Sequence, residues 1–166
     1  SDVCSSDLFV PLTNDHKIAL CEKCSVTKVC LDGDESAQIV EKLSKPDCIK
    51  KIQGDGNCFY RAISYAISGT EDNHMKVRLA IVNHLLENSA EFKCYLREGY
   101  TTVEEYIATV RLCDNGTWAT EVEIIAASRM LDVSIYTFND HANKWHLFSN
   151  RYSRSEEHTS ELQSLR

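Results

Sequence analysis

A cysteine stands where a polar segment punctuated by glycines, Gln53-Gly-Asp-Gly-Asn57, meets an apolar stretch. From Cys58 onward the apolar residues recur at helical spacing, which predicts that a helix begins at or beside this cysteine. Unpaired N–H groups and the positive end of the helix dipole gather at a helix start, and they favour a thiolate over a thiol. Gly54 and Gly56 permit positive φ and close backbone approach. These residues therefore indicate a nucleophilic thiolate beside amides that can stabilise an oxyanion.

Seven consecutive residues, Asp55-Gly-Asn-Cys-Phe-Tyr-Arg61, resemble without a gap the nucleophile motif of the ovarian-tumour (OTU) family of cysteine proteases. Most members of that family remove ubiquitin or related modifiers. The resemblance implies that Cys58 is the nucleophile and that the backbone of Asp55, Gly56, Asn57 and Cys58 forms the oxyanion loop. The Asp55 side chain has two open roles, support of a catalytic histidine or shaping of the loop. The alternative to a catalytic site is a buried cysteine after an Asp-Gly turn.

Two later segments also resemble the OTU family. Gly116-Thr-Trp118 precedes a helical pattern that carries Glu121 and small residues, which is similar to a second signature of the family. The resemblance implies that Trp118, Glu121 and Trp145 support the site and that Trp118 packs this helix against the nucleophile helix. Trp145 is placed by the resemblance on a strand of the central sheet. A generic core tryptophan would give the same pattern at Trp118.

The resemblance covers roughly residues 46–150 and implies an α+β, papain-like OTU fold with a small central β-sheet flanked by helices. It implies a thiol-dependent isopeptidase that removes ubiquitin or a ubiquitin-like modifier from lysine. The family places its general-base histidine on a further strand beyond the one that carries Trp145. In this chain an adapter-like tail begins after Ser153, before such a strand is reached. We therefore expect a fold that is incomplete at the C-terminus and a fragment that is inactive. The alternatives are a non-catalytic ubiquitin-binding OTU module and a viral or mobile-element OTU protease.

None of the six histidines has the position expected for that base. They lie in the cysteine-rich lead-in, on a helix whose stripe serves packing, in a turn, beside Trp145 and in the tail: His16, His74, His84, His141, His146 and His158. We expect no imidazole within hydrogen-bond reach of Cys58. Alkylation of Cys58 should persist, while amide cleavage falls by orders of magnitude because the leaving amine needs a proton. A valine at Gly56 is expected to impair turnover more than stability.

Periodicity and turn signals predict the elements that position these residues. A second helix follows Gly69, and its predicted buried stripe comprises Val77, Ala80, Ile81, His84 and Leu85. Two capping boxes are predicted, each a threonine followed three residues later by a glutamate: Thr102 with Glu105, and Thr120 with Glu123. The alternating segments 133–138 and 144–148 predict two strands joined by a turn. A short amphipathic helix is predicted before Pro46.

The two ends of the chain resemble the two strands of one sequencing adapter. One choice of codons for residues 155–161, read on the complementary strand in another frame, encodes residues 1–7. We expect both ends to be non-native, the alternative being native polar tails. The predicted division is an adapter-like tail, a cysteine-containing lead-in, a partial OTU domain without its last strand, and a second adapter-like tail: 1–8, 9–45, 46–153 and 154–166.

The cysteines near the N-terminus raise the question of a metal site. Cys21 and Cys24 have the spacing at which two thiolates can share a zinc ion. Cys30 and Cys48 are isolated, so a second properly spaced pair is missing from the sequence. We predict ordinary reduced cysteines with no metal and no cofactor, and zinc remains the alternative.

Length and composition are typical of one globular domain, with 166 residues and a net charge of −7. No basic block is present, which argues against nucleic acid as a partner and leaves a basic-faced protein such as ubiquitin acceptable. No apolar run approaches membrane-spanning length, and the N-terminus lacks the pattern of a signal peptide. We expect a monomer with no membrane partner, located inside the cell in the cytoplasm or nucleus.

Overall fold

The structure is a computed structural model that describes residues 9–29, 43–46 and 49–149. Within these ranges the chain forms six α-helices, a 3₁₀ turn at Lys93–Tyr95 and a two-stranded sheet, which confirms the predicted α+β class. In chain order the elements are α1 Asn14–Lys23, α2 Cys58–Ser68, α3 His74–Glu87, α4 Ser89–Phe92, α5 Val103–Val110, α6 Glu121–Leu131, β1 Ile135–Asn139 and β2 Lys144–Phe148. The predicted short helix before Pro46 and both predicted tails fall largely or wholly outside the described residues.

The helices share one hydrophobic core centred on α2 and α3. These two helices pack on each other, α6 packs on α3, and α1 packs on α2. The most completely buried apolar side chains come from four of the helices and one loop: Tyr60, Val77, Ile81, Leu85, Phe92, Leu112, Ala126 and Ala127. Burial of this apolar surface is the main force that holds the nucleophile helix in place. Among the described residues, no helix is both long and apolar enough to cross a membrane.

The buried stripe of α3 differs in part from the prediction. Val77, Ile81 and Leu85 are buried as expected, whereas the predicted Ala80 and His84 are only partly buried. Arg78 and Val82 are buried in addition. Apolar periodicity could not select Arg78, because a charged side chain is buried only where partners compensate for its lost hydration.

The capping-box prediction is confirmed at α6, whereas at α5 only one of its two hydrogen bonds is present. At α6, the Glu123 carboxylate accepts hydrogen bonds from both the backbone N–H and the hydroxyl of Thr120. At α5, the Thr102 hydroxyl accepts from the Glu105 N–H at 3.1 Å, but the Glu105 carboxylate accepts from Thr101. Both helix starts are thus defined by short-range contacts that the sequence encodes.

The two strands form an antiparallel hairpin, as the alternating segments predicted. The register pairs Ile135 with Phe148 and Phe138 with Trp145. The Ser128 hydroxyl of α6 donates to the Phe148 carbonyl oxygen at 3.1 Å, which ties the hairpin to the helical core.

Helix α1 was not predicted, because only Leu20 and Cys21 of its ten residues are buried and no clear apolar stripe appears. The Thr13 hydroxyl caps it by accepting from the His16 N–H. Leu20, Cys21, Cys24 and Val26 nevertheless belong to the same core cluster as α2 and α3. The lead-in segment therefore contributes to the core of the domain that follows it.

Cys21 and Cys24 are core side chains in this arrangement. The Cys21 thiol donates to the Ile67 carbonyl oxygen at 3.1 Å, and burial raises the pKa of Cys24 to about 11. This packing supports the prediction of reduced cysteines. Within the part of the chain that the structure describes, no cluster of metal-ligating side chains occurs. Cys30 and Cys48 lie outside that part.

Candidate active site

Cys58 is the first residue of α2, as predicted from the sequence. Its side chain is partly buried and its thiol is free. The carbonyl oxygen of Asn57 accepts a hydrogen bond from the Arg61 N–H at 2.8 Å and so begins the helical pattern. Because the first N–H groups of a helix have no intrahelical acceptor, those of α2 can donate to an anion formed at Cys58.

Asp55 organises the nucleophile loop, residues 53–57, through its carboxylate. Its Oδ1 accepts from the Asn57 N–H at 3.1 Å, and Arg61 donates to the carboxylate from Nε and Nη2, the latter at 2.7 Å. The hydrogen bonds from Arg61 hold the pKa of Asp55 well below its usual range. Of the two roles left open for this side chain, the geometry supports shaping of the loop. A catalytic role for Asp55 remains a prediction.

The same turn corrects one part of the predicted oxyanion loop. The Asn57 N–H already donates to Asp55, so it is not a free donor in this conformation. An aspartate side chain that accepts from the amide two residues later forms a local turn, which the sequence motif could have indicated. The backbone amides of Asp55, Gly56 and Cys58 remain the predicted oxyanion donors.

We expect the difference in the free energy of unfolding between the unaltered chain and Asp55→Asn to depend on pH. Because the pKa of Asp55 is lower in the folded chain than in the unfolded chain, the ion pair with Arg61 stabilises the fold fully above the ordinary aspartate pKa of about 4. This stabilisation is lost as the pH falls through the folded pKa. Urea titrations from about pH 7 to pH 2 should show the difference shrinking. A difference that stays constant, or persists unchanged in an Arg61→Met background, would contradict this assignment.

Gly56 brings the nucleophile loop into backbone contact with a second loop, residues 112–117. Gly56 has a φ of +82°, and a Cβ built on it would lie 1.9 Å from the Gly116 carbonyl oxygen. Gly116 has a φ of +88°, and a Cβ there would lie 3.4 Å from the Asp55 carbonyl oxygen. The two loops therefore meet through glycine backbone, and the contact leaves no room for a side chain at Gly56.

The Asn57 side chain joins the same two loops by hydrogen bonds. It is 1 % exposed, and its Oδ1 accepts from the Gly116 N–H at 2.8 Å and from Arg78 Nη2 at 2.7 Å. Its Nδ2 donates to Asn115 Oδ1 at 2.8 Å. Arg78 and Asn115 could not be assigned to the site from the sequence, because both are brought to Asn57 only by tertiary packing.

The sequence profile of one family, described as OTU-like cysteine protease, matches residues 53–164 of this chain. The chain belongs to the OTU family of cysteine proteases. The matched range includes the nucleophile loop, Cys58 and the 112–117 loop. The family resemblance stated from the sequence and the papain-like fold that it implied are thereby confirmed.

Curated relatives carry names that agree with this family. The ovarian tumor domain-containing deubiquitinating enzyme 7 of Arabidopsis thaliana is 33% identical over 99 residues, which cover 60% of this chain and 26% of that protein. OTU domain-containing protein 4 of Homo sapiens is 32% identical over 81 residues, which cover 49% of this chain and 7% of that protein. OTU domain-containing protein 3 of Mus musculus is 29% identical over 93 residues, which cover 55% and 23%. The matches thus span about a quarter or less of each relative.

Residues 154–164 fall within the range matched by the OTU profile, although the sequence predicted a non-native tail there. The profile match does not test their origin, which remains a prediction. These residues also lie outside the part of the chain that the structure describes.

The structure corrects the packing role that the OTU resemblance assigned to Trp118. Its side chain is 57% exposed, so it is not packed between α6 and α2. Helix α6 packs chiefly on α3 instead. The Trp118 segment is linked to the nucleophile loop through Gly116, whose backbone lies against Gly56 and whose N–H donates to Asn57 Oδ1. The absence of a side chain at Gly56 permits this approach.

Glu121 is less buried than Glu123, the other glutamate at the start of α6. It begins α6 and is partly buried, whereas Glu123 is fully buried. The Tyr106 hydroxyl donates to Glu123 at 2.8 Å, and burial raises the pKa of Glu123. Because a glutamate at the third position of a helix folds back on its own cap, Glu123 is the residue that fixes the start of α6.

Trp145 lies on β2, as the resemblance implied. Its ring contacts those of Phe138 and Tyr136, and its Nε1 donates to the Ser44 carbonyl oxygen at 2.9 Å. Trp145 therefore joins the hairpin to the segment that precedes the nucleophile loop.

The hydrogen bonds of the described residues include none between the Cys58 thiol and an imidazole. The His84 ring lies 3.4 Å from Asn88 Nδ2, and His146 stands opposite Thr137 in the hairpin. His158 lies outside the described residues. The lack of a general base, which the OTU resemblance predicted for this chain, therefore remains a prediction.

Proposed function

We propose that this chain is the core of a thiol-dependent isopeptidase that removes ubiquitin or a ubiquitin-like modifier from lysine. The observation that carries the proposal is the position of Cys58 at the first residue of α2, directly after a loop held by glycine contacts and buried hydrogen bonds. Membership of a cysteine protease family and the deubiquitinating name of one relative support the same activity.

In the proposed reaction, the Cys58 thiolate attacks the carbonyl carbon of the modifier's C-terminal glycine and forms a tetrahedral oxyanion. Backbone N–H groups of the nucleophile loop and of the first turn of α2 stabilise that oxyanion. The C–N bond then breaks as the lysine nitrogen takes up a proton from the solvent, which leaves a thioester on Cys58. Water then hydrolyses the thioester and regenerates the thiol.

Covalent capture by ubiquitin with a C-terminal electrophile tests this proposal. We expect one ubiquitin to be added to the chain, and we expect Cys58→Ala to abolish the addition. Cys94 and Cys113 are exposed thiols that do not begin α2, so Cys94→Ala and Cys113→Ala are controls that should retain capture. Intact-mass measurement distinguishes these outcomes. Capture that survives Cys58→Ala would contradict the assignment of the nucleophile.

The proposal also predicts that this chain hydrolyses isopeptide bonds slowly, even though its Cys58 reacts with the ubiquitin electrophile. An electrophile needs only the thiolate, whereas departure of the lysine amine requires a proton from a general acid. We therefore expect ubiquitin chains to remain largely uncleaved under conditions in which the electrophile reacts fully. Rapid cleavage of ubiquitin chains by the same polypeptide would show that the chain does contain a group that gives the leaving amine its proton.

We also propose that the protein acts as a monomer inside the cell. The described cysteines, two of them buried in the core, are free thiols, which is typical of a reducing compartment. Fractionation of cells that express the tagged protein should place it in the cytoplasm or nucleus. Secretion of a disulfide-bonded form would contradict this location.

A further inference from the structure

We infer that Arg78 is a positioning residue that holds the nucleophile loop in its reactive conformation through the Asn57 side chain. Arg78 lies on α3, and its hydrogen-bond acceptors belong to Asn57, which directly precedes Cys58, and to two residues of the 112–117 loop. The inference rests on the proposed function of Cys58. It assigns Arg78 no contact with substrate.

The Arg78 guanidinium joins three parts of the chain. Its Nη2 donates to Asn57 Oδ1 at 2.7 Å and to the Thr117 carbonyl oxygen at 2.7 Å. Its Nη1 donates to the Leu112 carbonyl oxygen at 2.9 Å. Because a guanidinium presents its donors in a rigid planar fork, these three oxygens are held in one geometry, which a lysine ammonium cannot reproduce.

The surroundings of Arg78 are unusual for a charged residue. Its side chain is 0% exposed, and the ion pairs of the described residues include none with Arg78. Its Cζ lies 4.0 Å from the centre of the Tyr60 ring, two residues after Cys58 on α2. Burial lowers the pKa of Arg78. A buried cation is costly, and an apolar residue could fill the same space, so the geometry of the fork explains why arginine suits this position.

Replacement of Arg78 would remove one of the two hydrogen bonds that Asn57 Oδ1 accepts. Asn57 Oδ1 would keep only the Gly116 N–H as a donor, and the Leu112 and Thr117 carbonyl oxygens would lose a buried partner. The peptide that carries Cys58 could then rotate relative to the 112–117 loop. An alignment error of this kind affects attack on a bound carbonyl more than it affects reaction with a small, freely diffusing reagent.

Arg78→Met and Arg78→Lys test the inference against Arg129→Met as a matched control. Like Arg78, Arg129 is a helical arginine that packs on aromatic rings, but it is only partly buried, and it pairs with Glu91 away from the nucleophile loop. We expect Arg78→Met to lower the rate of ubiquitin capture about tenfold to a hundredfold, whereas Arg129→Met leaves the rate for folded protein unchanged. Arg78→Lys should lose about tenfold although it keeps the charge, and it replaces Arg78→Met where the latter does not fold.

Iodoacetamide separates positioning from general loosening of the fold. We expect the rate of Cys58 alkylation to change less than about threefold in the Arg78 variants, and we expect the buried Cys21 and Cys24 to stay unlabelled. Parent-like capture by folded Arg78→Met, or an equal loss of capture in Arg129→Met, would overturn the inference. Labelling of Cys21 and Cys24 together with Cys58 would also overturn it, because it would show a merely structural role.

Backbone amide NMR shifts test the positioning role without ubiquitin. Changes in the Arg78 variants should concentrate at Gly56, Asn57, Cys58 and Gly116, and they should be absent there in Arg129→Met. Unmoved signals at these four residues would overturn the inference. If the signals move while the parent chain captures no ubiquitin, the proposed function fails and the positioning role of Arg78 stands.

Discussion

Gly56→Ala is expected to destabilise the chain by about 3–5 kcal/mol, the sum of left-handed backbone strain and a severe close contact. The added Cβ would lie 1.9 Å from the Gly116 carbonyl oxygen, and this backbone group cannot turn aside as a flexible side chain would. The two loops would have to separate, so ubiquitin capture at Cys58 should be lost as well. The sequence alone predicted a valine here to affect turnover more than stability. The structure adds a large loss of stability, because the contact is with backbone.

Gly54→Ala is the matched control for this substitution. It lies in the same loop, and a Cβ on Gly54 would meet nothing within 4 Å. We expect a change of no more than about 0.5 kcal/mol in the free energy of unfolding and normal capture. Urea denaturation and ubiquitin capture should be measured on both variants. Equal effects of the two substitutions would show that the Gly56–Gly116 contact is not tight.

Removal of the lead-in segment, which carries α1 and the core residues Cys24 and Val26 that follow it, is expected to bring the chain to the edge of unfolding. Leu20, Cys21, Cys24 and Val26 all belong to the central core. Each fully buried apolar side chain of this kind contributes about 1.5–3 kcal/mol, so their joint loss exceeds about 5 kcal/mol. Folded domains are stable by only about 5–15 kcal/mol. A chain that begins at residue 46 should therefore show a broad or absent thermal transition.

Point substitutions in α1 provide the control for this truncation. Leu20→Ala should cost about 2–4 kcal/mol because Leu20 is buried, whereas Ile18→Ala should cost less than about 0.5 kcal/mol because Ile18 is 47% exposed. The two residues share one helix, so differences in helix propensity are small. A cooperative thermal unfolding transition at an unchanged temperature in the chain that begins at residue 46 would show that α1 does not contribute to the stability of the core.

Local features of the site were determined by the sequence itself. Glycines before an apolar helical repeat sufficed to place the start of α2 at Cys58. Threonine and glutamate at capping spacing sufficed to place the start of α6. Alternating residues sufficed for the hairpin, although β1 begins two residues later than the predicted strand. Each of these signals acts within a few residues, so no tertiary contact is needed to recognise it.

Only the tertiary structure decided which residues hold the nucleophile loop. Asn57 bonds with Gly116 across 59 positions of the chain and with Arg78 across 21, and no local propensity encodes either pairing. The burial of Arg78 and the exposure of Trp118 reverse the usual preferences of a charged and an aromatic side chain. Whether a side chain is buried depends on the elements that fold against it. In this protein, Arg78 is buried because α3 and the 112–117 loop pack against α2 and the loop before it.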